Sequence, residues 1–171
     1  MSDKFYELLD RTGFVFLDGG LGTMIQATGV ETGHNPELLN ITNPDVIMNI
    51  HRQYVESGSD IVYANTFGAN RYKLKNSGYT VAEVVSAGIA IAKKAASGKA
   101  LAALDIGPIG QLLEPSGTLT FEEAYEIHKE TILAGADADI IIIETMTDLY
   151  EVKAAAITPS FLSLYSISST T

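Results

Sequence analysis

An α/β fold built on a parallel sheet is what this 171-residue chain predicts, on three observations. Four short apolar runs, at residues 14–17, 60–64, 100–104 and 139–143, read as strands. Each gives way to polar or glycine-rich residues, as strands covered on both faces of a parallel sheet do. These strand ends recur about every 40 residues with helical patterns between them, which is the rhythm of right-handed βαβ units. A closed (β/α)8 barrel of the TIM type needs eight strands and typically about 250 residues. The prediction is therefore an α/β chain of barrel type truncated to about four βα units, a half barrel.

The elements follow in order. The first run ends in Asp18-Gly19-Gly20-Leu21-Gly22-Thr23. These glycines stand too close together for the dinucleotide fingerprint of a doubly wound sheet, the alternative architecture, and no acid ends the next strand. Asn43-Pro44-Asp45 then supplies a cap, a proline at the first helical position and an acid in the first turn. Val46, Ile47, Ile50 and Tyr54 share a face of that helix, and Gly58 closes it. The second run leads into Asn65-Thr66-Phe67-Gly68, and the third into Asp105-Ile106-Gly107-Pro108. Thr80 with Glu83, and Thr120 with Glu123, both fit the capping box that opens a helix. Phe121, Ala124, Ile127 and Ile132 make the stripe of the later helix, which Gly135 stops. The fourth run, four isoleucines, ends at Glu144-Thr145. Residues 1–157 read as one domain. Residues 158–171 are Ser/Thr-rich and read as a tail outside the core, with the domain continuing past Ile157 in relatives and this ending expected from truncation or a shifted reading frame.

Composition narrows the partners. The formal net charge is −10 and no cluster of Lys or Arg stands out in sequence, which argues against nucleic acid and anionic membranes. No run approaches the roughly 18 apolar residues of a membrane span, and the first residues lack the apolar core of a signal peptide. There is no cysteine, so the chain alone offers no disulfide, no nucleophilic thiol and no thiolate for a metal. A cytoplasmic setting is expected.

Ligands of parallel α/β folds bind outside the carboxyl ends of the strands. That edge collects Asp18, Asn65, Thr66, Asp105 and Glu144. Acids suit an ammonium and the Gly19-Gly20 backbone amides suit a carboxylate, so the set reads as a clamp for a small zwitterion. In the plainer reading Asp18 and Asp105 cap the following helices and Asn65 pins a turn. Glu144 decides between the two, because a carboxylate after four isoleucines needs either solvent or a partner. His34, His51 and His128 are too scattered for a metal site, and the two in helices read as packing or surface residues. Glu122, Glu123, Glu126 and Glu130 read as a solvated helix face.

Four segments carry a resemblance: 18–26 (DGGLGTMIQ), 63–70 (YANTFGAN), 105–108 (DIGP) and 143–153 (IETMTDLYEVK). Together they resemble the homocysteine S-methyltransferase family, and within it the homocysteine-binding domain of the cobalamin-dependent members, over about the first half of that domain. The resemblance implies a (β/α)8 barrel whose zinc, held by three cysteines, activates the homocysteine thiol for methyl transfer. Methylcobalamin, betaine and S-methylmethionine are the donors it implies. Carried onto this sequence, Asp18 and Glu144 would hold the substrate ammonium, with Gly19, Asn65 and Thr66 lining the pocket. The family's zinc cysteines have no counterpart here, so the chain alone is expected to bind no zinc and to be inactive. The other reading is a non-catalytic half-barrel module, whose open edges would pair with a second copy or a complementary half.

Overall fold

The structure, a computed structural model, describes residues 3–168. Its strands are β1 (Ile61–Tyr63), β2 (Leu101–Ile106) and β3 (Ile140–Ile143). They form one parallel sheet in sequential order, β1-β2-β3. Val62 pairs with Ala102, and Asp105 pairs with Ile142. The helices are α1 (Asp3–Thr12), α2 (Leu21–Ala27), α3 (Leu39–Thr42), α4 (Pro44–Glu56), α5 (Val81–Ala96), α6 (Phe121–Ala134) and α7 (Leu149–Ser168), with a 3-10 turn at Pro36–Leu38.

Among the described residues the four expected strands become three. The first run contributes a single parallel bridge, Leu17 to Ile61, supported by backbone hydrogen bonds from Asp18 N to Ile61 O and from Asp60 N to Phe16 O. Phe14, Phe16 and Leu17 are 58%, 60% and 50% exposed, so this edge is largely uncovered, with Val15 alone of the run packing inward. An apolar run signals a strand, but burial on both sides is what completes one.

Alternation along the strands separates two faces. Val62, Ala102, Leu104 and Ile106 pack against Val84, Val85, Ile89 and Ala92 of α5 and Ile132 of α6. Ile61, Leu101 and Ala103 turn the other way, with Tyr63, Ile140 and Ile142 beside them. Helix α1 is not among the expected elements, yet its Phe5 and Leu8 cover part of this second face. Helices α5 and α6 thus lie against one face of the sheet and α1 against the other. Gly135 ends α6 against the sheet, since a Cβ there would meet Leu104 at 2.7 Å.

Helix starts follow the sequence closely. Both capping boxes form: Glu83 N donates to Thr80 Oγ1 and Thr80 N to Glu83 Oε2, and Thr120 and Glu123 repeat the pattern. Pro44 opens α4 as expected, but the Asn43 side chain makes no cap bond. Helix α7 carries through much of the Ser/Thr-rich segment, with Ala154, Ala155 and Thr158 buried. Residues 169–171 of that segment lie outside the described residues.

Candidate functional site

The carboxyl ends of the strands open onto a cavity of about 610 Å³. Asp18, Gly19 and Gly20 reach it from the loop after the Leu17 bridge, Tyr63 and Asn65 from the end of β1, Asp105 from β2, and Glu144 from the end of β3. No Lys, Arg or His lines it among the described residues. Asp18, Asp105 and Glu144, with Glu37 as a fourth carboxylate, thus share one concavity without a cation.

Each is delivered by local structure. Asp18 caps no helix: its Oδ2 accepts the Tyr63 N–H at 3.0 Å and ties the first loop to β1. Asp105 shares the face of Leu101 and Ala103 along β2, and Thr66 braces its backbone on both sides. The Thr66 hydroxyl donates to Asp105 O at 2.9 Å and accepts the Asp105 N–H at 3.1 Å. Glu144 is half-buried, and its N–H donates to Ile106 O at 3.0 Å, so the β2-β3 ladder extends to it. The chain then turns through Thr145 at φ 59, a left-handed conformation that is costly for a β-branched residue.

Burial sets the protonation of this group. Asp18 is pushed up to about 7, first by burial and further by the Glu144 charge, against the lowering effect of the Tyr63 N–H. Asp105 is pushed up to about 8 by burial, then by Glu144, Asp18 and Glu37. Its Oδ1 is buried without a hydrogen-bond partner.

Of the expected site residues, Asp18, Gly19, Asn65 and Glu144 line the cavity and Thr66 does not. Thr66 acts on Asp105 from behind. The Asn65 side chain does pin a turn, as the plainer reading held: its Nδ2 donates to Pro36 O at 2.9 Å and to Asn40 Oδ1 at 3.1 Å. Glu37, Tyr63 and Phe67 also line the cavity and were not singled out in the sequence. Glu37 is buried and accepts the Gly68 N–H at 2.6 Å. Its position after Asn35-Pro36 in a polar stretch gave no sign of burial.

The histidines stand apart. His51 is fully buried in α4, and His128 lies under α7, 3.6 Å from Glu151 Oε1. Of the acidic run on α6, Glu130 pairs with Arg71 at 2.6 Å and Glu126 with Lys129, so this face is partnered as well as solvated. At the opposite end of the strands the fold gathers Lys4, Arg11, Lys93 and Lys99 around a second cavity with Asp60 and Asp139, a grouping invisible in sequence.

Residues 15–171 match the homocysteine S-methyltransferase family. The chain belongs to that family. It is 37% identical over 160 residues to a methionine synthase of Mycobacterium tuberculosis and 35% identical to one of Mycobacterium leprae. Each match covers 82% of this chain and 13% of the synthase. In fold the chain is similar to the homocysteine methyltransferase MmuM from Escherichia coli in its metallated form, with a TM-score of 0.84 at 20% identity. That likeness covers 94% of this chain and 64% of the MmuM chain. The apo form of MmuM gives a TM-score of 0.73. Three strands and a bridge in sequential parallel order are thus a portion of a homocysteine methyltransferase fold.

The zinc that the family resemblance implies does not fit the residues present. The sequence has no cysteine, and among the described residues no group of three or more His, Asp or Glu could hold a metal ion. No helix among the described residues is long and apolar enough to cross a membrane.

Proposed function

We propose that the cavity at the carboxyl end of the sheet binds homocysteine by its amino-acid end, as the substrate-holding part of a homocysteine S-methyltransferase. Asp18 and Glu144 take the ammonium, and the backbone at Gly19 and Gly20, bare of side chains, receives the carboxylate. Asn65 and Thr66 hold the floor, through Asn40 and Asp105 respectively. The observation that carries this reading is the gathering of Asp18, Asp105 and Glu144 on one cavity with no cationic side chain to balance them. A bound ammonium relieves that imbalance, and each charge-assisted hydrogen bond contributes about 1.5–3 kcal/mol.

Methyl transfer to the homocysteine thiol yields methionine, the product named in the synthase relatives. Methylcobalamin is the donor this likeness favours, and a reducing cytoplasm suits a free thiol substrate. Thiol activation by zinc falls outside what this chain's residues supply, so the chain alone holds substrate and does not turn it over. Glu144→Gln keeps the shape and removes the charge. By calorimetry it should weaken homocysteine binding about tenfold or more. Unchanged affinity would remove Glu144 from the site.

A second reading, a non-catalytic half-barrel module, draws on the edges of the sheet. Among the described residues β3 pairs with β2 alone, and its four isoleucines are half-buried, while Phe14, Phe16 and Leu17 are exposed at the other edge. Self-association or pairing with a complementary half would cover both edges. Gel filtration distinguishes a lone monomer from such a pair.

A further inference from the structure

We propose that Asp105 is itself an ammonium-binding residue of this cavity through its buried, incompletely partnered carboxyl, and that it makes the site select free amines over analogues without one. This rests on the homocysteine reading above and adds to it a third acceptor. Asp105 is 7% exposed, and its Oδ1 is buried with no hydrogen-bond partner while the residue lines the cavity. A buried oxygen left without a donor is costly, and natural interiors rarely keep one without a use. Thr66 fixes the Asp105 backbone through both its N–H and its C=O, so the carboxyl cannot swing out to water by shifting the strand.

The groups facing Asp105 come from every neighbouring element: Asp18 from the first loop, Glu37 from the 3-10 turn, Tyr63 from β1 and Glu144 after β3. All are acids or a phenol. The missing complement is a compact cation rich in N–H donors. A primary ammonium has three such donors, and Asp18, Glu144 and Asp105 can each accept one. A neutral or absent amine leaves the Asp105 oxygen as bare as before, and this is the source of selectivity.

Binding should also move a proton. Burial among acids keeps Asp105 largely protonated near neutral pH, with its carboxyl pushed up to about 8. When R–NH3+ arrives, the Asp105 O–H gives its proton to solvent and the carboxylate accepts an N–H from the ligand. Charge balances, with one cation gained and one proton released. Near pH 8 Asp18, at about 7, is mostly ionised already, so most of the proton released there belongs to Asp105.

The test is calorimetry on the unaltered chain in two buffers of different ionisation enthalpy near pH 8, with homocysteine and with 4-mercaptobutyrate, the same thiol acid without the amine. Roughly half a proton should be released per homocysteine bound, and essentially none with 4-mercaptobutyrate. In Asp105→Asn the affinity ratio of homocysteine to 4-mercaptobutyrate should narrow about tenfold, a change that general loosening of the cavity would not produce. Homocysteine binding without proton release, or an unchanged ratio in folded Asp105→Asn, overturns the assignment and leaves the homocysteine reading standing. Should the variant fail to fold, the proton count on the unaltered chain still decides. If the unaltered chain binds neither thiol, the homocysteine reading falls and the assignment with it.

Discussion

Replacing Asp105 by Asn should make the empty protein more stable at neutral and alkaline pH while leaving it nearly unchanged in acid. The carboxyl titrates at 3.8 in an unperturbed chain and at about 8 in the fold, so between those values the folded state holds a proton that the unfolded state has lost. Stability from such a group is fully present below the lower value and is lost as pH rises through the upper one. Each pH unit in that window removes up to about 1.4 kcal/mol, or up to about 2.7 kcal/mol between roughly pH 5 and pH 7. Asp18, raised to about 7, adds slope of the same sign, and His51, lowered to about 4, adds slope of the opposite sign below about 6.5. The difference between the unaltered protein and the variant cancels His51 and Asp18, common to both, and isolates Asp105. Allowing for the cost of a buried amide, Asp105→Asn should gain about 1–3 kcal/mol near pH 8 and little near pH 5. Urea unfolding at several pH values measures it. Parallel stability curves for the two proteins would refute the claim that the fold holds Asp105 protonated.

Other outcomes follow from particular contacts. His51 is fully buried with neither ring nitrogen bonded, so His51→Leu should stabilise the protein near pH 5 by about 1–2 kcal/mol more than near pH 7.5, as read by thermal melts. A Cβ at Gly88 would meet Asn40 Nδ2 at 2.7 Å, so Gly88→Ala should cost about 1–3 kcal/mol in denaturant unfolding and weaken the Asn40 to Asn65 link. Without a thiolate, the chain should retain no stoichiometric zinc after dialysis and show no homocysteine methylation above background, by metal mass spectrometry and a methionine assay.

Local signals were the legible part of the fold. The capping boxes at Thr80 and Thr120 form as written because each needs only three residues' separation, and the isoleucine run of β3 sits where an uninterrupted apolar stretch must. The first strand was over-read because its partners, and not its own residues, decide whether it pairs beyond Leu17. Helix α1 was missed although Phe5 and Leu8 have helical spacing, since its value lies in contacts with Ile61, Leu101 and Ala103 far along the chain. At the site, Asp18, Asn65 and Glu144 were legible from their place after apolar runs. Glu37 was not, since only the bond to Gly68 shows it to be buried, and that bond spans 31 residues. The turn of the Thr66 hydroxyl to the Asp105 backbone is not legible in its own loop, because that contact spans 39 residues. The left-handed Thr145 escaped notice because threonine is not a residue that announces such a turn.

The central claim is that the carboxyl end of this sheet is a homocysteine site. Titration of homocysteine into the isotopically labelled chain, followed by amide chemical shifts, tests it most directly. The account predicts changes concentrated at Gly19, Tyr63, Asn65, Asp105 and Glu144, with Lys4, Lys99 and Asp139 at the opposite end unmoved. Saturable changes centred on that opposite end, or none at the carboxylate cavity, would contradict it.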